Sequence, residues 1–128
     1  YLIVPAILGE MGIYPNHIPI ITKLKAGVLR LHLPNEDKEE IFAISGGFLE
    51  INKNVATILA DIVERSTQLD EIRLLEQKKE AENRLKTHGN QSSSLEVAKA
   101  QASLEILIAQ LKTIDYIKNI SKYNKKKI

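Results

Sequence analysis

The chain is predicted to be α+β, an N-terminal β-sandwich or flattened barrel over residues 1–63 followed over residues 64–128 by a C-terminal antiparallel two-helix hairpin with a basic tail. Three observations carry this. Up to residue 59 the apolar residues come in short runs bounded by turn formers, the rhythm of an all-β unit. At Ser66 and Thr67 the period lengthens to that of helices. A polar stretch, His88-Gly89-Asn90-Gln91-Ser92-Ser93-Ser94, then divides the helical half in two.

The opening Tyr1-Leu2-Ile3-Val4-Pro5 reads as the middle of a strand and not as a charged leader with an apolar signal core. Residues 9–22 hold two glycines, two prolines and an Asn among Met, Ile and Tyr, which predicts a tightly bent segment with mostly apolar side chains. Val28-Leu29-Arg30-Leu31-His32-Leu33 alternates with period two, so Leu29, Leu31 and Leu33 face a core and Val28, Arg30 and His32 face away. Pro34-Asn35-Glu36-Asp37 ends that strand. Ile41-Phe42-Ala43-Ile44 starts the next, and Gly46-Gly47 interrupts it where a bulge or a close backbone approach needs no Cβ. After Phe48-Leu49-Glu50-Ile51, the turn Asn52-Lys53-Asn54 closes a hairpin onto residues 55–59, since Asn tolerates positive φ.

Thr67, with Asp70 as an acid in the first turn, predicts the start of the first helix, with Leu69, Ile72 and Leu75 as its apolar stripe. Residues 76–84 are almost wholly charged and leave only Ala81 and Leu85 to bury, so this helix is one-faced. Gly89 suits its end, and Ser93 with Glu96 has the spacing of a capping box for the second helix. Val97, Ala100, Leu104, Leu107, Leu111 and Ile114 form a seam for packing on the first helix, with Ala98 and Ala102 beside the turn where the two must approach closely. Folding about residue 91 sets Leu69 opposite residue 113, so the second helix overhangs the first from Ile114 on. Ile114, Ile117 and Ile120, flanked by Lys112, Lys118 and Lys122, then form an apolar strip with basic margins, to be covered by the sandwich of the same chain or by another protein.

The 128 residues, 44% of them apolar, suffice for one ordinary domain or two small ones. There is no cysteine, which removes disulfides, thiolate metal sites and cysteine nucleophiles. The longest apolar runs fall far short of the ~20 residues of a membrane-spanning helix. The net charge of +2 is uneven, because residues 112–128 carry six Lys against one acid, including Lys125-Lys126-Lys127. Such a tail reads as a solvated end; the alternative, a basic-tailed nucleic-acid or protein-interaction module, lacks a broad basic face. His17, His32 and His88 fall in a bend, a strand and a turn, with no zinc-protease spacing, phosphate loop or serine elbow, so no catalytic residue or metal ligand is assigned. His17 is read as a structural or interface residue. A small-molecule enzyme would need a polar pocket near His17 or His32.

Three ordered motifs resemble one family. Gly9-x-x-Gly12-Ile13-x-Pro15-x-His17-x-Pro19 with Thr22, then Ile44-Ser45-Gly46-Gly47-Phe48-Leu49-Glu50-Ile51 with the strand after it, then Ala98-Lys99-Ala100-Gln101-Ala102-Ser103-Leu104-Glu105 are similar to the epsilon subunit of the bacterial-type proton-translocating rotary ATP synthase. The resemblance implies a non-catalytic subunit of the central stalk, peripheral on the cytoplasmic face of the bacterial inner membrane, whose sandwich lies between the gamma subunit and the membrane rotor ring and whose helices inhibit hydrolysis. It also implies that an opening strand of the family is missing here. Position by position, Glu10 is expected toward the rotor ring and His17 and Thr22 toward gamma, while Lys112, Ile114, Ile117 and Lys118 would meet the catalytic beta subunits. Leu69-Asp70-Glu71-Ile72-Arg73-Leu74 matches a motif with which some relatives contact ATP, except at its last position. This chain has no arginine after Arg84, so no cofactor is expected beyond weak ATP binding at Asp70 and Arg73.

Overall fold

The structure, a computed structural model, describes residues 1–88 and 93–126. Six strands come first: β1 (Leu2–Ala6), β2 (Gly9–Ile13), β3 (Ile20–His32), β4 (Glu39–Asn52), β5 (Val55–Leu59) and β6 (Val63–Arg65). A single 3-10 turn (Ser66–Gln68) leads to helices α1 (Glu71–His88) and α2 (Ser94–Lys126). The strands pair antiparallel in the order β2-β1-β3-β4-β5, and β6 also pairs with β4. This is the sandwich-then-helices arrangement expected, with β6 crossing the division drawn between residues 63 and 64.

Gly46 and Gly47 mark the place where β4 changes partner. Phe48 pairs with Leu59 of β5 and Ile44 with Val63 of β6, and between them the Ser45 N–H donates to the Ile62 carbonyl. Both glycines have positive φ, +99° and +143°. The backbone of β5 passes so close to Gly47 that a Cβ would collide with the Leu59 carbonyl, which is the close approach the sequence suggested. At the far end, Lys53 and Asn54 take φ of 49° and 63° and close the two-residue β4–β5 hairpin.

The long β3–β4 ribbon brings residues from both its ends into one core. Leu24, Leu29, Ile44, Leu49 and Ile51 pack with Leu2, Val4, Ala6 and Ile13. The segment 9–22 is bent over only part of its length: residues 9–13 are strand β2, and the turn lies between Tyr14 and Pro19. That turn is fastened by the His17 N–H donating to the Tyr14 carbonyl and by the Asn16 N–H donating to Asn54 Oδ1 at 2.8 Å.

The residues turned away from the core behave differently at the two ends of the ribbon. In register, Ile21–Glu50–Thr57 and Lys23–Phe48–Leu59 form two exposed rows. Further along, Val28 pairs with Ala43 and Arg30 with Ile41, and these four are buried or half-buried although none but Arg30 would seek polar contact. They lie under α2, which packs on β3 and β4. The Val28, Arg30, His32 face is therefore covered, where alternation alone left it to solvent.

α1 buries a different face from the one expected, and α2 buries a second face besides its expected seam. The N-cap of α1 is Asp70: its Oδ1 accepts from the N–H groups of Ile72 and Arg73, and its carbonyl accepts from Leu74 N–H. Thr67 sits in the preceding 3-10 turn. With the helix starting three residues later, the face toward α2 is Leu74, Ala81 and Leu85, spaced 7 and 4, while Ile72 and Leu75 point outward at 72% and 51% exposure. The start of α2 is as expected, with Ser93 Oγ accepting from Glu96 N–H. Its seam from Val97 to Ile114, Ala100 included, is half-buried, but Ala98 and Ala102 are exposed. The turn residues 89–92, Gly89 among them, lie outside the described residues, as do 127 and 128.

Candidate functional site

α2 carries two faces. Taking 100° per residue, Val97, Ala100, Leu104, Leu107 and Leu111 lie on one side and Ile106, Ala109, Gln110, Thr113, Tyr116, Ile117 and Ile120 on another. The first meets α1 and the second meets the sandwich. On the second face small residues sit deepest: Ala109 is 2% exposed and Thr113 fully buried, its hydroxyl donating to the Ala109 carbonyl at 2.9 Å. Small side chains let a helix approach a sheet closely.

Polar groups fasten α2 at three places, two on the sandwich and one on α1. Near its middle, Gln110 Nε2 donates to Glu64 Oε2 of β6 at 2.9 Å. One turn and a half further on, Tyr116 Oη accepts from Arg30 at 2.8 Å and donates to Glu39 at 3.2 Å. The Arg30 guanidinium also lies 4.9 Å from the centre of the Tyr116 ring and forms a 3.0 Å ion pair with Glu10 of β2. Beyond that, Lys118 Nζ bonds both carboxylate oxygens of Glu71 at the start of α1. Burial works against the charge on Arg30, but the Tyr116 hydroxyl and the Glu10 and Glu39 carboxylates outweigh it and hold its pKa above the ordinary arginine value. The cation is permanent, so these contacts are charge-assisted.

The sequence-predicted residues fall in four places. Glu10 is in this network, on the edge strand. His17 is half-buried in the 14–19 turn; its Nδ1 lies 2.7 Å from the Ile18 carbonyl, an acceptor only, so Nδ1 carries the hydrogen. Thr22 pairs with Leu49 and lines a hollow with residues 6–11, on the side opposite Ile21. Asp70 is spent on capping α1, and the Arg73 side chain is exposed.

Of the two covers expected for the apolar strip, the structure shows the sandwich of the same chain: Ile114, Ile117 and Ile120 are half-buried, and Ile117 and Ile120 line a groove of about 560 Å3 with His32 and Ile41. The Glu71–Lys118 bond sets the start of α1 opposite residue 118, about two turns beyond the Leu111 that a fold about residue 91 gives. Lys112 is exposed, and Lys118 is tied within the chain. Sequence reasoning missed Arg30, Glu39, Glu64 and Tyr116. A second period along α2, the row 109, 113, 116, 120, was the available signal.

Among the described residues no group of three His, Asp or Glu is placed to hold a metal ion. Also among them, no helix is long and apolar enough to cross a membrane. The molecule is thus a β-sandwich carrying a helical hairpin clamped across one of its faces. Residues 1–66 match the family model for the β-sandwich domain of the ATP synthase delta/epsilon chain. Over nearly the whole chain the likeness continues. An ATP synthase epsilon chain of Chromobacterium violaceum is 43% identical over 118 residues, 92% of this chain and 82% of that one. One of Nitrosomonas eutropha is 46% identical over 114 residues, 89% of this chain and 79% of that one. The chain belongs to the ATP synthase delta/epsilon family. Its fold is also that of a chain in a Euglena gracilis mitochondrial ATP synthase structure, with a TM-score of 0.71 at 22% identity over 84% of this chain and 65% of that one.

Proposed function

We propose that the chain is a non-catalytic rotor subunit in the central stalk of an ATP synthase, joining the gamma subunit to the membrane rotor ring and restraining ATP hydrolysis through α2 by way of the catalytic beta subunits. In a bacterium this places it on the cytoplasmic face of the inner membrane, held there by its partners. One observation carries the reading. One end of the β3–β4 ribbon is covered by the chain's own helix and the other is left open and apolar, where Ile21, Phe48, Val55 and Leu59 are 53–74% exposed around Lys23 and Glu50. An apolar area of that kind on a family member that works inside a larger assembly is a partner surface, here assigned to gamma. The β1–β2 turn, with Leu8 fully exposed beside Glu10, is assigned to the ring.

The test is capture of gamma by Phe48→Asp/Leu59→Asp. Two buried charges in the interface core are expected to reduce binding at least 100-fold while thermal unfolding stays within a few degrees of the parent. Undiminished capture would reject the assignment.

ATP contact at Asp70 and Arg73 is proposed to be weak. A triphosphate there would compete with the cap that Asp70 makes, and α2 brings no arginine to it. The basic end of α2 gives no support to nucleic-acid binding, because Lys118 is already paired with Glu71.

A further inference from the structure

Arg30 is shared. One of its terminal nitrogens bonds Tyr116 of α2 at 2.8 Å and the other bonds Glu10 of β2 at 3.0 Å, while Glu10 and Tyr116 make no bond to each other. The three groups also differ in access. The Glu10 side chain is 64% exposed and that of Arg30 only 19%, so a molecule arriving from solution reaches the carboxylate and not the guanidinium. Tyr116 is half-buried between Arg30 and Glu39.

We propose that Arg30 is a relay between the β2 edge and the last helix: a partner presenting a cationic side chain to Glu10 withdraws that carboxylate from Arg30, frees the guanidinium to turn, and so weakens the hold on Tyr116 and on the sandwich-facing part of α2. The geometry gives the reason. A guanidinium is a planar fork, and with one arm fixed on Glu10 the other is aimed at the Tyr116 hydroxyl without further loss of side-chain freedom. When Glu10 is engaged elsewhere, Arg30 loses its second arm and is ordered only by Tyr116 and the field of the Glu39 carboxylate behind it. Glu10 and Arg30 are positioning residues in this device, and Tyr116 is the latch. The coupling stands on the structure by itself; its effect on hydrolysis rests on the function proposed above.

The chain has no cysteine, so one introduced thiol reports alone. Thr113 is fully buried on the sandwich-facing side of α2, and the thiol of Thr113→Cys reacts with a maleimide or disulfide reagent only when α2 lifts from the sandwich. Its labelling rate in the whole chain therefore measures lifting even when the lifted state is rare. Tyr116→Phe, which removes the hydroxyl's bonds to both Arg30 and Glu39, is expected to speed labelling at least about tenfold. Glu10→Gln is expected to speed it about threefold, the worth of an exposed ion pair, but only while Tyr116 is present; in Tyr116→Phe it changes nothing. Equal acceleration by Glu10→Gln in both backgrounds, or none in either, overturns the relay, and an unchanged rate in Tyr116→Phe overturns the latch. Should Thr113→Cys disturb folding, Ala109→Cys, at 2% exposure, takes its place. Hydrolysis by the assembled enzyme that ignores these variants while labelling follows the pattern rejects the restraining role and leaves the relay intact.

Discussion

At Gly47 the backbone holds φ of +143°, and an added Cβ would run into the Leu59 carbonyl. Gly47→Ala must therefore either force β5 off β4 or bend β4 at its change of partner. The expected cost is at least ~3 kcal/mol in urea unfolding, against roughly 1–2 kcal/mol for Gly46→Ala, whose Cβ would lie 3.1 Å from the Leu24 carbonyl. The glycine pair was legible in the sequence because only a residue without Cβ tolerates such a place. Asp70 was legible only as an acid near a helix start, and its carboxylate turns out to be the cap itself. Asp70→Ala is expected to cost about 1 kcal/mol, and Thr67→Ala much less, by thermal or urea unfolding. Equal costs would return the cap to Thr67.

At the scale of elements, the contrast is between a helix that needs its neighbours and one that supplies them. Leu74 is 6% exposed and the deepest apolar contact of α1, whereas Ile72 stands 72% exposed. Leu74→Ala is expected to destabilise the hairpin by about 2–3 kcal/mol and Ile72→Ala by less than ~0.5 kcal/mol, read from amide exchange along α1. The reverse order would restore the stripe drawn from Leu69, Ile72 and Leu75. That stripe failed for a definite reason. A helical face is fixed by where the helix begins relative to its partner, and three apolar residues in its first turn and a half define no direction until the cap is known.

In the whole molecule α2 is the element in which both modules meet, since its two faces bind α1 and the sandwich at once. A chain ending at Gln110 keeps the seam up to Leu107 and loses Thr113, Tyr116, Ile117 and Ile120. The expected result is an assembled ATP synthase that hydrolyses ATP several-fold faster, while gamma still captures the truncated chain through the open end of the sheet. Loss of capture would mean that α2, not the sandwich, holds the subunit in place. An unchanged hydrolysis rate would mean that α2 only braces the sandwich.

The sequence by itself determined the local architecture: strands of period two, the hairpin at Lys53-Asn54, the glycine pair, the Ser93 cap, the α1-facing seam of α2 and, through three ordered motifs, the family. These depend on residues close in the chain, where φ preferences and side-chain spacing act directly. Only the tertiary structure decided what covers the second face of α2 and the outer face of the β3–β4 ribbon. Arg30, Glu39, Glu64 and Tyr116 are scattered over four elements and look like ordinary surface residues one at a time. They become a site because α2 is laid across β3 and β4 with Ala109 and Thr113 buried on it, a contact between distant residues that no local pattern encodes.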